Sequence, residues 1–261
     1  TIGLDHQAWL GDDRDSIAGE KAGIMRSGRP VVIGERKPPD RLKSEARKRG
    51  ARPVFLGADF ELSSSPDHWD FRGSTMDMAG LPRLRGPLLD NAACALEALC
   101  QLEPPALPER DNCVRALASV SVPGRMQQVK RGGCDWIVDL AHNQPAAEAV
   151  AKALSQDPSD GRTLAILGLL REKDASAIVA AMSGVVDEWI LVDVHGSRGR
   201  SAEALRDAAF RDVDGAVSMA DSVVSACGLA EKHAKCGDRV IAMGSFQVVG
   251  PAMEFLGLRT G

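Results

Sequence analysis

The sequence has no Cys-x-x-Cys pair, no Cys/His spacing of a zinc site and no Gly-x-Gly-x-x-Gly behind any β-rich run, although it carries six cysteines and 26 glycines. The first two absences exclude a zinc module of the usual spacing, and the six thiols read as reduced side chains of a cytoplasmic protein. The third argues against a nicotinamide-dependent dehydrogenase. No apolar run approaches eighteen residues and no signal-peptide pattern is present, so no membrane helix is expected. Positive charge is not in excess: the formal net charge is −4, which argues against nucleic acid or an anionic membrane as partner. The one basic concentration, Arg36 to Arg52, includes Asp40 and Glu45 at helix-like spacing and reads as a solvated helix face. There is no internal repeat and no low-complexity tract.

What is present suits an α/β protein. At 261 residues and 44% hydrophobic the chain can bury a sizeable core, and the organisation predicts two domains, residues 1–121 and 122–261. In the second, β-rich runs alternate with helical patterns: CDWIVDL then QPAAEAVAKALSQ, TLAILGL then KDASAIVAAMSG, EWILVDV then SAEALRDAAF, and finally DRVIAMGS. Strand, helix, strand at this spacing predicts right-handed crossovers and a mostly parallel sheet with helices on both faces. The first domain is less regular. Helices are expected over 13–26 and near 39–50, strands at PVVIG and RPVFLG, a small antiparallel patch over FELSSS, HWDFRG and TMDMAGL, and a long helix over NAACALEALCQL.

Ligands of such sheets bind beyond the carboxyl ends of the strands, so the informative residues are those in DLAHN, GLLREKD, DVHGSRGR and GSF. DLAHN places the carboxylate of Asp139 at a strand end and His142 and Asn143 at the next helix start, where unpaired N–H groups welcome an anion or a ribose hydroxyl. Asn143 also suits a plain N-cap. Arg125, in Pro-Gly-Arg, can clamp a phosphate or be ordinary turn sequence. Ser245 can orient a carboxylate or cap a turn. Lys173 and Asp174 can be no more than a helix start, and Arg198 and Arg200 share that ambiguity, with Ser201 as the expected cap. In the opening stretch TIGLDHQAWLGDDRDSIAGEKAG, His6 and Lys21 taken singly read as a loop histidine and a helix-surface lysine.

Taken in order, GLDH, EKAGI, NAA before an Ala-rich helix, PGR, DxAHN and a terminal GSF resemble the bacterial folylpolyglutamate synthase family, including its bifunctional dihydrofolate synthase members, of the ATP-dependent Mur ligase superfamily. The resemblance runs almost from residue 1 to residue 250. It implies the carboxyl half of a P-loop-type ATPase domain followed by a Rossmann-like, mostly parallel α/β domain. The implied reaction uses ATP and Mg2+: a carboxylate of dihydropteroate or of a folate is phosphorylated, and the amine of L-glutamate attacks the acyl phosphate. Fixed cations must offset the negative charge gathered in that chemistry. Residue by residue, His6 resembles a magnesium ligand and Lys21 the lysine carried as a carbamate. Asn91 resembles the residue that reads the adenine edge, Arg125 the one that reaches ATP phosphates, and Asp139 the ribose or nucleotide contact. His142 and Ser245 lie in motifs of the amino-acid pocket.

The chain departs from the family pattern in one large respect. The Gly-x-x-x-x-Gly-Lys-Ser/Thr loop expected upstream of GLDH is absent, and the sequence begins as if in mid-element, which predicts a preceding segment and little or no catalysis by the chain as it stands. Two rivals remain open at this point: another amino-acid ligase of the superfamily, and a non-catalytic nucleotide-binding module that has lost its P-loop. The resemblance further implies a cytoplasmic monomer whose partners are small molecules.

Overall fold

The computed structural model describes residues 13–258, apart from residues 66, 85, 104–106 and 212–215. His6 lies outside the described residues. The chain divides into two compact units between Val120 and Ser121.

In the first unit, helix α1 (Arg14–Lys21) opens on Asp13, whose carboxylate accepts a hydrogen bond from the Ser16 N–H (2.7 Å). The helix expected over 13–26 ends instead at Lys21, where the chain tightens into a 3-10 turn, Ala22–Ile24. Gly19 and Gly23 lower helix propensity on either side of that point. Strand β1 (Pro30–Ile33), helix α2 (Asp40–Lys48) and strand β2 (Arg52–Phe55) follow, with β1 and β2 paired in parallel. Strands β3 (Glu61–Ser64), β4 (His68–Arg72) and β5 (Asp77–Pro82) form the expected antiparallel sheet. Helices α3 (Pro87–Cys100) and α4 (Arg110–Ala118) complete the unit. Trp69, Phe71 and Leu81 of the sheet pack with Ala93 and Leu96 of α3, while a second, smaller core gathers Ile17, Ala18 and Met25 with Leu42 and Ala46 of α2.

The second unit is a six-stranded sheet between two helical layers. Its elements are β6 (Gln127–Arg131), β7 (Cys134–Asp139), α5 (Gln144–Gln156), β8 (Thr163–Leu167), α6 (Ala175–Met182), β9 (Glu188–Val192), α7 (Ala202–Ala209), β10 (Ala216–Ala220), α8 (Val223–His233), β11 (Arg239–Met243) and α9 (Phe246–Phe255). The spatial order is β10-β9-β8-β11-β7-β6, parallel throughout except for the edge strand β6. That strand joins β7 through Gly132 and Gly133, both at positive φ (61° and 79°), the backbone a two-residue hairpin turn requires.

Strand alternation feeds two cores. Ile137, Ala165, Leu167, Trp189, Leu191, Ile241 and Met243 face α5, α6 and α7, while Trp136, Val138, Leu164, Ile166, Ile190, Val240 and Ala242 face α8 and α9. The handedness rule explains the split. From β7 to β10 the crossovers step across the sheet in one direction, and the connection from β10 through α8 to β11 returns in the other, so helices of one hand must lie on opposite faces. Continuous apolar strands buried on both sides are what such a parallel sheet demands.

Candidate active site

The sheet order creates a crevice at one end. Strand β11 sits between β7 and β8; the chain leaving β7 and β8 turns to one face, toward α5 and α6, whereas the chain leaving β11 turns to the other, toward α9. Loops diverging from adjacent parallel strands open a ligand crevice at the carboxyl edge. Asp139, His142 and Ser245 all lie on loops or strand ends at this edge, and Arg125 is tied to it.

The Pro-Gly-Arg turn is fastened to the end of β7 at two successive residues. The Leu140 N–H donates to the Gly124 carbonyl (2.8 Å), and the Met126 N–H donates to Asp139 Oδ2 (2.8 Å). Arg125 is exposed between these two anchors, and its own N–H donates to the Val122 carbonyl (3.0 Å). Met126 is the one non-glycine residue at positive φ (46°) among those described. A side chain in that region costs roughly 1–2 kcal/mol. Asp139 is buried, at 3% exposure. Burial pushes its carboxyl pKa above the usual range, against the opposing pull of the Met126 N–H, the Arg125 charge, the Ala141 N–H and His142.

His142 is half-buried, and its Nδ1 lies 2.7 Å from the Leu140 carbonyl, a contact that makes Nδ1 the donor and fixes the plane of the ring. Asn143 is the N-cap of α5, accepting from the Ala146 N–H (3.0 Å), with Pro145 in the first turn. Ser245 is the buried N-cap of α9 and accepts from the Gln247 N–H (3.2 Å). Ahead of it Gly244 has φ +113°, and a Cβ there would lie 2.4 Å from the Gly168 carbonyl oxygen. Only glycine lets the end of β11 approach the end of β8 so closely.

The other loops at this edge are braced to one another. Asp174 and Ser201 cap α6 and α7, accepting from Ala177 and Ala204. Arg200 donates to the carbonyls of Arg171 (2.6 Å) and Lys173 (3.1 Å), and Arg198 pairs with Glu172. Burial lowers the Arg200 pKa. Gln247 was not singled out by sequence, yet its amide clasps the backbone of His195, accepting from its N–H (3.0 Å) and donating to its carbonyl (2.9 Å). No local signal foretells a pairing across 52 positions.

In the first unit Lys21 is exposed at the last position of α1, where a cation favours the helix dipole, rather than inside the helix expected over 13–26. Asn91 is exposed on α3, beside Asp90, which pairs with Arg36 (3.0 Å). Among the described residues no three His, Cys, Asp or Glu side chains gather as a metal-holding group, and no helix is long and apolar enough to cross a membrane.

Comparison with known proteins gives a consistent picture. Residues 124–246 match the family model described as the Mur ligase, glutamate ligase domain. The chain is 36% identical over 262 residues to the dihydrofolate synthase/folylpolyglutamate synthase of Escherichia coli, covering 99% of this chain and 59% of that protein. It is 30% identical to the protein of the same description from Haemophilus influenzae, covering 95% and 60%. Among solved structures, E. coli FolC in complex with DHPP and ADP superposes with a TM-score of 0.87 at 36% identity, over 98% of this chain and 60% of that one. A Mycobacterium tuberculosis folylpolyglutamate synthase complexed with ADP gives 0.85 at 26% identity, over 99% and 62%. The chain thus spans about three-fifths of the length of the relatives it matches. Over nearly all of its own length the chain is homologous to dihydrofolate synthase/folylpolyglutamate synthases, and residues 124–246 match the glutamate ligase domain of the Mur ligases.

Proposed function

We propose that the chain forms part of a cytoplasmic, monomeric ATP-dependent ligase that joins L-glutamate to dihydropteroate, to a folate, or to both. The observation that carries this reading is the exposed Arg125, whose neighbours Gly124 and Met126 are hydrogen-bonded to Leu140 and Asp139 at the carboxyl end of β7, beside the switch point of the sheet. Solved structures of relatives hold ADP, or AMPPNP, Mn and L-glutamate. A guanidinium that can bond in bidentate fashion suits a phosphate. ATP, when bound, supplies the phosphoryl group that activates the acceptor carboxylate.

Arg125 then offsets the charge on the transferring phosphate, while Asp139 and Asn91 contact the ribose and the adenine edge. His142, its ring plane set by Leu140, and Ser245 orient the incoming amino acid. His6 is proposed as a Mg2+ ligand and Lys21, as a carbamate, to support that site. Among the described residues no three His, Cys, Asp or Glu side chains gather to hold a metal ion.

The test is glutamate-dependent ADP release with dihydropteroate and with tetrahydrofolate. It is run on the 261-residue chain and on a chimera in which the chain replaces its equivalent span in the E. coli enzyme. The chimera should turn over and the chain alone should not. Arg125→Ala in the chimera should lower turnover far more than nucleotide affinity. A folded chimera that binds ADP yet shows no glutamate-dependent release would favour the non-catalytic module. Release dependent on a different amino acid would favour another ligase of the superfamily.

A further inference from the structure

We infer that Asp139 is the positioning residue of Arg125: its buried carboxylate holds Met126 in the left-handed conformation, and that conformation sets the direction in which the Arg125 side chain leaves the turn. The inference rests on the proposed phosphate role of Arg125 and gives Asp139 a task separate from contact with a nucleotide.

Three observations converge on it. Met126 is strained at φ 46° and buried, so something must compensate for its conformation, and its N–H points at Asp139 Oδ2 from 2.8 Å. The anchor is doubled, since the next residue along, Leu140, holds the carbonyl of Gly124. Arg125 is thereby bracketed by bonds to consecutive residues of the β7 exit, and neither bond consumes its guanidinium. Backbone strain kept at such a place requires an over-determined surrounding. A carboxylate accepting a backbone N–H inside the protein is among the stronger ways to provide it.

Two measurements test this, the first on the 261-residue chain and the second on the chimera. Trypsin cleaves after arginine in backbone that can open, and in the low-protease limit the rate follows the open population. Asp139→Ala should speed cleavage of the Arg125–Met126 bond by about tenfold, the scale expected when a buried N–H loses its acceptor, more than at any other arginine and with the melting temperature lowered by only a few degrees. Asp139→Asn keeps an acceptor oxygen and should stay protected. Met126→Gly in the Asp139→Ala background should restore protection, because glycine needs no holding at positive φ. Unchanged cleavage in Asp139→Ala, or acceleration without rescue by Met126→Gly, overturns the inference. The second measurement is the ratio of AMPPNP to ADP affinity by titration calorimetry. Asp139→Ala should lower that ratio as Arg125→Ala does, and the double variant should be no worse than Arg125→Ala alone. Additive losses in the ratio would mean that Asp139 acts on the γ-phosphate otherwise than through Arg125, and they too overturn the inference. If Arg125→Ala leaves the ratio unchanged, the phosphate reading of Arg125 fails, while the trypsin result still decides whether Asp139 holds the turn.

Discussion

The two units solve the problem of burying a sheet differently. Residues beyond 120 build one six-stranded sheet whose central strands are covered on both faces. In the first unit, the described residues form a two-stranded parallel pair and a three-stranded antiparallel sheet, each with its own small core. Short sheets gain little from cooperativity and rest on individual side chains. Glu97 shows this. It is fully buried on α3 and accepts from the Ser74 N–H (3.0 Å), the Ser74 hydroxyl (2.7 Å) and Gln101 (2.7 Å), so one carboxylate ties the β4–β5 loop to the helix. In the second unit the corresponding work is shared among strands, and the crevice residues hang from a frame that does not depend on any one of them.

The largest expected effect comes from the cores. Trp136→Ala in the second unit and Trp69→Ala in the first each remove a fully buried side chain and should cost about 3–5 kcal/mol. Amide hydrogen exchange should show each loss confined to its own unit; a loss spread evenly over both would erase the contrast. Next comes Glu97→Ala, which removes three hydrogen bonds to a buried carboxylate and should cost about 1–3 kcal/mol, with faster exchange at Ser74. Gly244→Ala should be of similar size, since it adds a steric clash to an unfavourable φ.

A pH titration sharpens the comparison further. Asp238 lies at the amino end of β11. Burial tends to raise its pKa, but the N–H groups of Lys235 and Arg162 and the Arg162 charge outweigh that and hold it below the usual range. A depressed carboxyl pKa contributes stability that is present above its unfolded value and is lost as pH falls through the folded one. The second unit should therefore lose stability below about pH 4, and Asp238→Asn should flatten that part of the profile. The smallest effect is expected at Phe246, which is 75% exposed at the crevice edge. Phe246→Ala should change stability by less than about 0.5 kcal/mol, so any larger loss of turnover in the chimera would mark it as a substrate contact.

Legibility in the sequence followed the same division. The buried strands β7, β8, β9 and β11 announced themselves as continuous apolar runs, and the caps at Asn143 and Ser201 were readable as such, because both signals are local. The edge strand β6 was passed over, although Arg-Gly-Gly-Cys carries the hairpin pair Gly132–Gly133, because QQVKR shows no apolar alternation to set beside it. The end of α1 was misplaced because the helix formers Glu20, Lys21, Ala22 and Met25 masked the weakening at Gly19 and Gly23.

By itself, the sequence determined the family, the mostly parallel α/β architecture and which residue types stand at the strand ends, since periodicity and ordered motifs depend only on near neighbours along the chain. Tertiary structure alone decided how those ends meet. Asp139 holds a turn thirteen residues earlier, Gln247 clasps a backbone fifty-two residues away, and Met126 takes a conformation that no methionine would choose unaided. The first bond closes across the β6–β7 hairpin and the second joins loops that follow different strands of the parallel sheet, and strain such as that at Met126 survives only where the surrounding fold compensates for it.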